Sequence, residues 1–145
     1  RYMNYESLSD GGFATGSMMG SGGFVVLDED QCVVKHTYTL ARFYRHESCG
    51  QCSPCREGTG WMEKILKNID TGKGKMSDID LLWDVQRKIE GNTICPLGDA
   101  AAWPVAAAIR HFRDEFEWHV RYPEECLRRN YGLAHYADER EVITV

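Results

Sequence analysis

No apolar run in these 145 residues approaches the ~18 residues of a membrane-spanning helix, so any membrane role must come through partners. An excess of basic charge is also missing. The net charge is −5, and the lysines and arginines are scattered, with no basic run longer than a pair such as Arg128–Arg129. This argues against nucleic-acid binding, which normally uses a basic face. There are no internal repeats and no low-complexity segments. Gly20-Ser21-Gly22-Gly23 is not a dinucleotide fingerprint: the third glycine of G-x-G-x-x-G would fall on Val25, and a strand is expected where a helix should open. Histidines 36, 46, 111, 119 and 135 lack the spacing of ligands on one helical turn, and His46 reads as a solvated helix-end residue. The chain begins at Arg1 without an initiator methionine and reads as a fragment or processed product, so a missing signal peptide carries no information about location.

What is present suits a soluble globular domain: 43% hydrophobic and 27% charged residues, at a length able to bury a real core. Residues 1–22 are rich in Gly and Ser and read as loop, and Phe24 to Leu27 reads as one short strand. From about Gln31 the pattern becomes helical. Asp30 is a suitable N-cap, and Val33, Thr37, Leu40, Ala41 and Tyr44 form one face, running out near Glu47. A second helix is expected from Pro54, carrying Trp61, Ile65 and Ile69 and ending at Gly72 and Gly74. Ser77 with Asp80 resembles a capping box for a third, whose inner face is Ile79, Leu82, Val85 or Gln86, and Ile89, with Gly91 as its stop. The fourth is clearest from Pro104, with a stripe of Val105, Ala108, Ile109, Phe112 and Phe116; Ala100 to Trp103 forms either an extra turn or a kinked start. Trp61, Trp83, Trp103 and Trp118 read as core. The expected fold is mainly α: a four-helix bundle over residues 31–121, with an irregular tail over 122–145.

Three of the six cysteines, Cys49, Cys52 and Cys55, fall within seven residues. Cys-x2-Cys-x2-Cys brings three thiolates to one compact object and favours a reducing compartment. A [4Fe–4S] cubane needs a fourth thiolate. Cys95 is the candidate, after 39 intervening residues and directly before Pro96, as in the bacterial ferredoxin pattern. Gly50 can take positive φ and turn amides toward cluster sulfurs, and Arg56 adds a cation that raises a cluster's reduction potential. A structural zinc site remains the alternative, although zinc usually takes its cysteines as two separated pairs. Cys32 reads as a small buried hydrophobe, and Cys126 carries no signal.

Glu47-Ser-Cys-Gly-Gln-Cys-Ser-Pro-Cys-Arg-Glu-Gly58, with Thr93-Ile-Cys-Pro-Leu-Gly-Asp-Ala-Ala-Ala-Trp-Pro104 and Ile109-Arg-His-Phe-Arg113, resembles the C-terminal region of the NADH-binding flavoprotein subunit of respiratory complex I. The resemblance runs from about Met3 to about His119. It implies a four-helix bundle whose [4Fe–4S] cluster is held by Cys49, Cys52, Cys55 and Cys95, with residues 1–30 closing a ubiquitin-like β-grasp domain. It further implies electrons arriving singly from FMN, which takes hydride from NADH, and leaving for clusters of the large iron–sulfur subunit and quinone. A thioredoxin-like [2Fe–2S] subunit is a further implied partner. The implied location is peripheral, on the cytoplasmic side of the bacterial inner membrane or the matrix side of the mitochondrial one. The family's FMN and NADH motifs do not occur within these residues. The diaphorase subunit of an NAD-linked hydrogenase or formate dehydrogenase shares the same module.

Overall fold

The computed structural model describes residues 25–27 and 31–124. Four helices account for nearly all of them: α1 (Val33–Glu47), α2 (Ser53–Asp70), α3 (Met76–Ile89) and α4 (Pro96–Arg121). Residues 25–27 form no strand, and Val25 and Val26 are exposed. A strand needs a paired neighbour to satisfy its backbone, and no described residue pairs with this one. The expected β-grasp segment and the tail from residue 125 onward, including Cys126, lie outside the described residues.

Each helix runs antiparallel to its neighbour in sequence. Lys35 Nζ donates to Asp70 Oδ2 at 2.9 Å and Arg45 pairs with Glu63, which zips α1 to α2 head to tail. Gly58, near the start of α2, lies against Ile89 at the end of α3. Trp103 Nε1 donates to Glu90 Oε1 at 2.9 Å, and Arg113 Nη2 donates to Asp80 Oδ1 at 2.7 Å, pairing α3 with α4. Hydrogen bonds to Asp80 and then Glu117 hold the Arg113 guanidinium above its ordinary pKa. Cys32 Sγ lies 3.5 Å from His119 Nδ1, closing α1 against the end of α4. One end of the bundle therefore gathers the C-termini of α1 and α3 with the N-termini of α2 and α4.

The core runs along the axis, with Val34, Met62, Leu66, Ile69, Ile79, Leu82, Ile89, Val105 and Phe116 all closed to solvent. In α3 the buried face is Ile79, Leu82, Val85, Gln86 and Ile89, as expected. In α1 the buried residues are Val34, Thr37, Tyr38 and Ala41; the expected Val33 and Tyr44 pack half-buried beside them, and of the expected face Leu40 alone is exposed. The α1 N-cap is Cys32, whose sulfur accepts from Lys35 N at 3.4 Å, in place of Asp30. In α2, Met62 and Leu66 take the inner positions. Trp61 instead lines a groove of about 610 Å³ with Pro54, Ile65 and Leu81. Trp103 is also exposed, while Trp83 and Trp118 are half-buried against the core. The expected Ser77–Asp80 box is displaced: Asp78 Oδ2 accepts from Lys75 N at 2.9 Å, and Lys75 is the N-cap. Gly91 stops α3 at φ +72°. α4 starts eight residues before Pro104, at Pro96, because the small Ala101 and Ala102 pack tightly inside. Its backbone leaves helical geometry at Phe112 (φ −132°, ψ 30°), which turns that side chain outward and breaks the expected stripe.

Candidate metal centre

The cysteine-bearing segments both sit at the end that gathers the N-termini of α2 and α4. Cys49 lies in the α1–α2 connection, Cys52 is the N-cap of α2, and Cys55 is in its first turn. Cys95 is the N-cap of α4. Neither capping cysteine spends its side chain on a cap hydrogen bond, and each is followed closely by a proline, Pro54 or Pro96. Proline suits the first turn because its missing N–H is an orphan there anyway. Two helix N-termini thus direct partial positive charge toward the segments that carry the cysteines, which complements the negative charge of a thiolate-ligated cluster. The start of α4 at Cys95 is what supplies the second of these dipoles.

Cys49 and Cys95 are exposed, Cys52 is half-buried and Cys55 is buried, and all four are free of disulfides. The donor chemistry fits an iron–sulfur cluster, which takes thiolates. Among the described residues, no three His, Cys, Asp or Glu side chains converge as ligands of a single ion. A cubane takes one thiolate per iron, so its ligands stand at separate corners.

Gly50 is the hinge of the loop. Its φ of +78° is open to glycine and strained for other residues. Its amide donates to Ser48 Oγ at 3.3 Å, and its carbonyl accepts from Arg56 Nη1 at 3.0 Å. Arg56 also reaches Ser53 Oγ at 3.4 Å and Glu57 Oε1 at 2.9 Å. Arg56 therefore staples the loop to α2, and Glu57 offsets part of its charge. On the other segment, Thr93 Oγ1 donates to the carbonyl of Cys95 at 2.9 Å, and the Gly91 amide donates to Asp99 Oδ1 at 2.7 Å.

Two hydroxyls at this end escaped the sequence reading. Ser48 Oγ lies 3.2 Å from Cys55 Sγ, and Thr93 braces Cys95. The usable signal is a Ser or Thr within two residues of a candidate ligand, where a hydroxyl competes for local backbone groups. His46 is solvated beside Glu47. Cys32 is buried at the opposite end, next to His119.

Residues 35–119 match the family model of the NADH-ubiquinone oxidoreductase-F iron-sulfur binding region. The chain belongs to this family. It is 48% identical over 119 residues to the F component of the Rickettsia bellii NADH-quinone oxidoreductase, covering 82% of this chain and 28% of that protein. The corresponding NADH-quinone oxidoreductase component of Rhizobium meliloti is 46% identical over 115 residues, covering 79% of this chain and 26% of that protein. The chain thus spans about a quarter of the length of these curated relatives. Among solved structures, it resembles an NAD+-reducing [NiFe]-hydrogenase in its H2-reduced state, with TM-score 0.62 and 34% identity. That match covers 66% of this chain and 16% of the hydrogenase chain.

Proposed function

We propose that this chain is the electron-relay module of an NADH:quinone oxidoreductase, with Cys49, Cys52, Cys55 and Cys95 as ligands of one [4Fe–4S] cluster. The observation that supports the reading is that both cysteine segments lie at the same end of the bundle, each at a helix N-terminus. A cluster held there supplies one-electron storage between a flavin and further iron–sulfur centres. The chain's own residues do the holding. Cys52 and Cys95 cap helices whose N-terminal partial charge complements an anionic cluster, Cys55 is shielded from water, and Arg56 fixes the loop between Cys49 and Cys52 through Gly50.

In this reading FMN and NADH are bound by sequence upstream of these residues. The partners are a thioredoxin-like [2Fe–2S] subunit and the large iron–sulfur subunit of a peripheral arm, on the cytoplasmic side of the bacterial inner membrane. No helix among the described residues is long and apolar enough to cross a membrane, which is consistent with peripheral attachment. A diaphorase subunit of an NAD-linked hydrogenase is the second reading, favoured by the hydrogenase likeness.

The deciding measurement is iron and acid-labile sulfide in anaerobically purified protein. Four of each per chain is the expected result, with an EPR signal on reduction. Zinc without sulfide would overturn the proposal in favour of a structural metal site.

A further inference from the structure

We infer that Ser48 is a positioning residue for the cluster, one that donates a hydrogen bond to the Cys55 sulfur and raises the potential at which the centre accepts its electron. The inference rests on the ligand set proposed above. Ser48 is the C-cap of α1, in extended geometry at φ −65° and ψ 123°, so its side chain turns from the helix toward the cysteine loop. Its Oγ has two neighbours. The Gly50 amide donates to it at 3.3 Å, and Cys55 Sγ lies at 3.2 Å.

A hydroxyl has one proton to give and two lone pairs. The Gly50 N–H can only donate, so it occupies a lone pair. The proton is left to point at sulfur. A ligating Cys55 is a thiolate and has no proton to offer in return, so the direction of the bond is fixed as Ser48 O–H to Cys55 Sγ. Cys55 is the buried member of the loop triad, and burial from water strengthens a hydrogen bond to charge.

Reduction adds one electron and transfers no proton, and no bond forms or breaks at Ser48. The added negative charge is shared by the ligand sulfurs, so a donor aimed at one of them stabilises the reduced form more than the oxidised form. Ser48 also couples the loop's hinge to its third ligand, because Gly50 and Cys55 meet on the same oxygen.

The test uses the full chain, purified anaerobically with its cluster, as wild type, Ser48→Ala and Ser48→Thr. Iron and sulfide content is measured first. If the wild type itself lacks a four-iron cluster, the underlying ligand assignment fails, and that result is distinct from a failure of the Ser48 role. With clusters at equal occupancy, Ser48→Ala should shift the reduction equilibrium about tenfold toward the oxidised form, a fall of about 59 mV for a one-electron couple. Ser48→Thr, which keeps the hydroxyl, should restore most of the wild-type potential. Pulsed EPR of the reduced state should also show one exchangeable proton coupling in wild type and Ser48→Thr that is missing in Ser48→Ala. An unchanged potential and an unchanged proton coupling in Ser48→Ala would overturn the inference. So would equal falls in Ser48→Ala and Ser48→Thr, which would mark a packing effect.

Discussion

Cys32 and Cys95 both cap helices, yet they sit at opposite ends of the bundle, and substitution should separate them. Cys95→Ser is expected to abolish the intact [4Fe–4S] EPR signal, because no other thiol on the α3–α4 connection can replace it. Cys32→Ala should keep the cluster and lose about 1 kcal/mol of stability, since a sulfur that accepts from Lys35 N is a weak cap. A cluster lost in Cys32→Ala and kept in Cys95→Ser would show that the fourth ligand lies elsewhere. Arg56→Gln tests charge at the same scale. The guanidinium is half exposed and already paired with Glu57, so its electrostatic leverage is that of a surface ion pair. The midpoint potential should fall by about 10–40 mV, corresponding to about 0.2–1 kcal/mol for one electron. A titration showing no change or a rise would remove Arg56 from the tuning groups.

At the scale of elements, Gly98 joins packing to the site. A Cβ there would stand 2.6 Å from Thr93 Oγ1 and 2.8 Å from Thr93 Cβ, so Gly98→Ala must push away the residue that holds the Cys95 carbonyl. Overpacking of this kind costs about 1–3 kcal/mol. The anaerobic urea midpoint should fall and cluster yield should fall with it; a variant with both unchanged would detach Thr93 from the site. This coupling could not be read along the chain, because it depends on how α4 begins. The sequence made α3 legible, since Ile79, Leu82, Val85 and Ile89 repeat strictly at helical spacing and nothing competes for that face. In α1, adjacent Val33 and Val34 offer two phases, and packing against α2 and α4 buries the second fully and the first by half. The start of α4 was hidden because Ala100 to Ala102 carry little amphipathic contrast, while Pro104 imitates a first-turn proline from inside the helix. Spacing named the candidate ligands. The hydroxyls were hidden because Ser48 reaches Cys55 only after α1 ends and α2 turns back.

For the whole molecule, the question is how far one bundle can carry NADH chemistry. NADH gives up a hydride, two electrons at once, whereas an iron–sulfur centre accepts one, so a flavin must stand between them. Within these residues, Gly20-Ser21-Gly22-Gly23 fails the spacing of a dinucleotide loop. The groove between α2 and α3 is walled by Trp61, Ile65 and Leu81 and has no glycine-rich phosphate cradle. The cluster-loaded chain is therefore expected to bleach with dithionite and to stay oxidised with NADH. Joined to the upstream part of a family relative and supplied with FMN, it should reduce its cluster from NADH. Anaerobic mixing followed by visible absorbance and EPR distinguishes the cases. Rapid bleaching of the isolated chain by NADH would require a nucleotide or flavin site inside these 145 residues and would refute the division of labour. Failure of the joined protein, with its cluster intact and FMN bound, would instead fault the proposed route from flavin to Cys49, Cys52, Cys55 and Cys95.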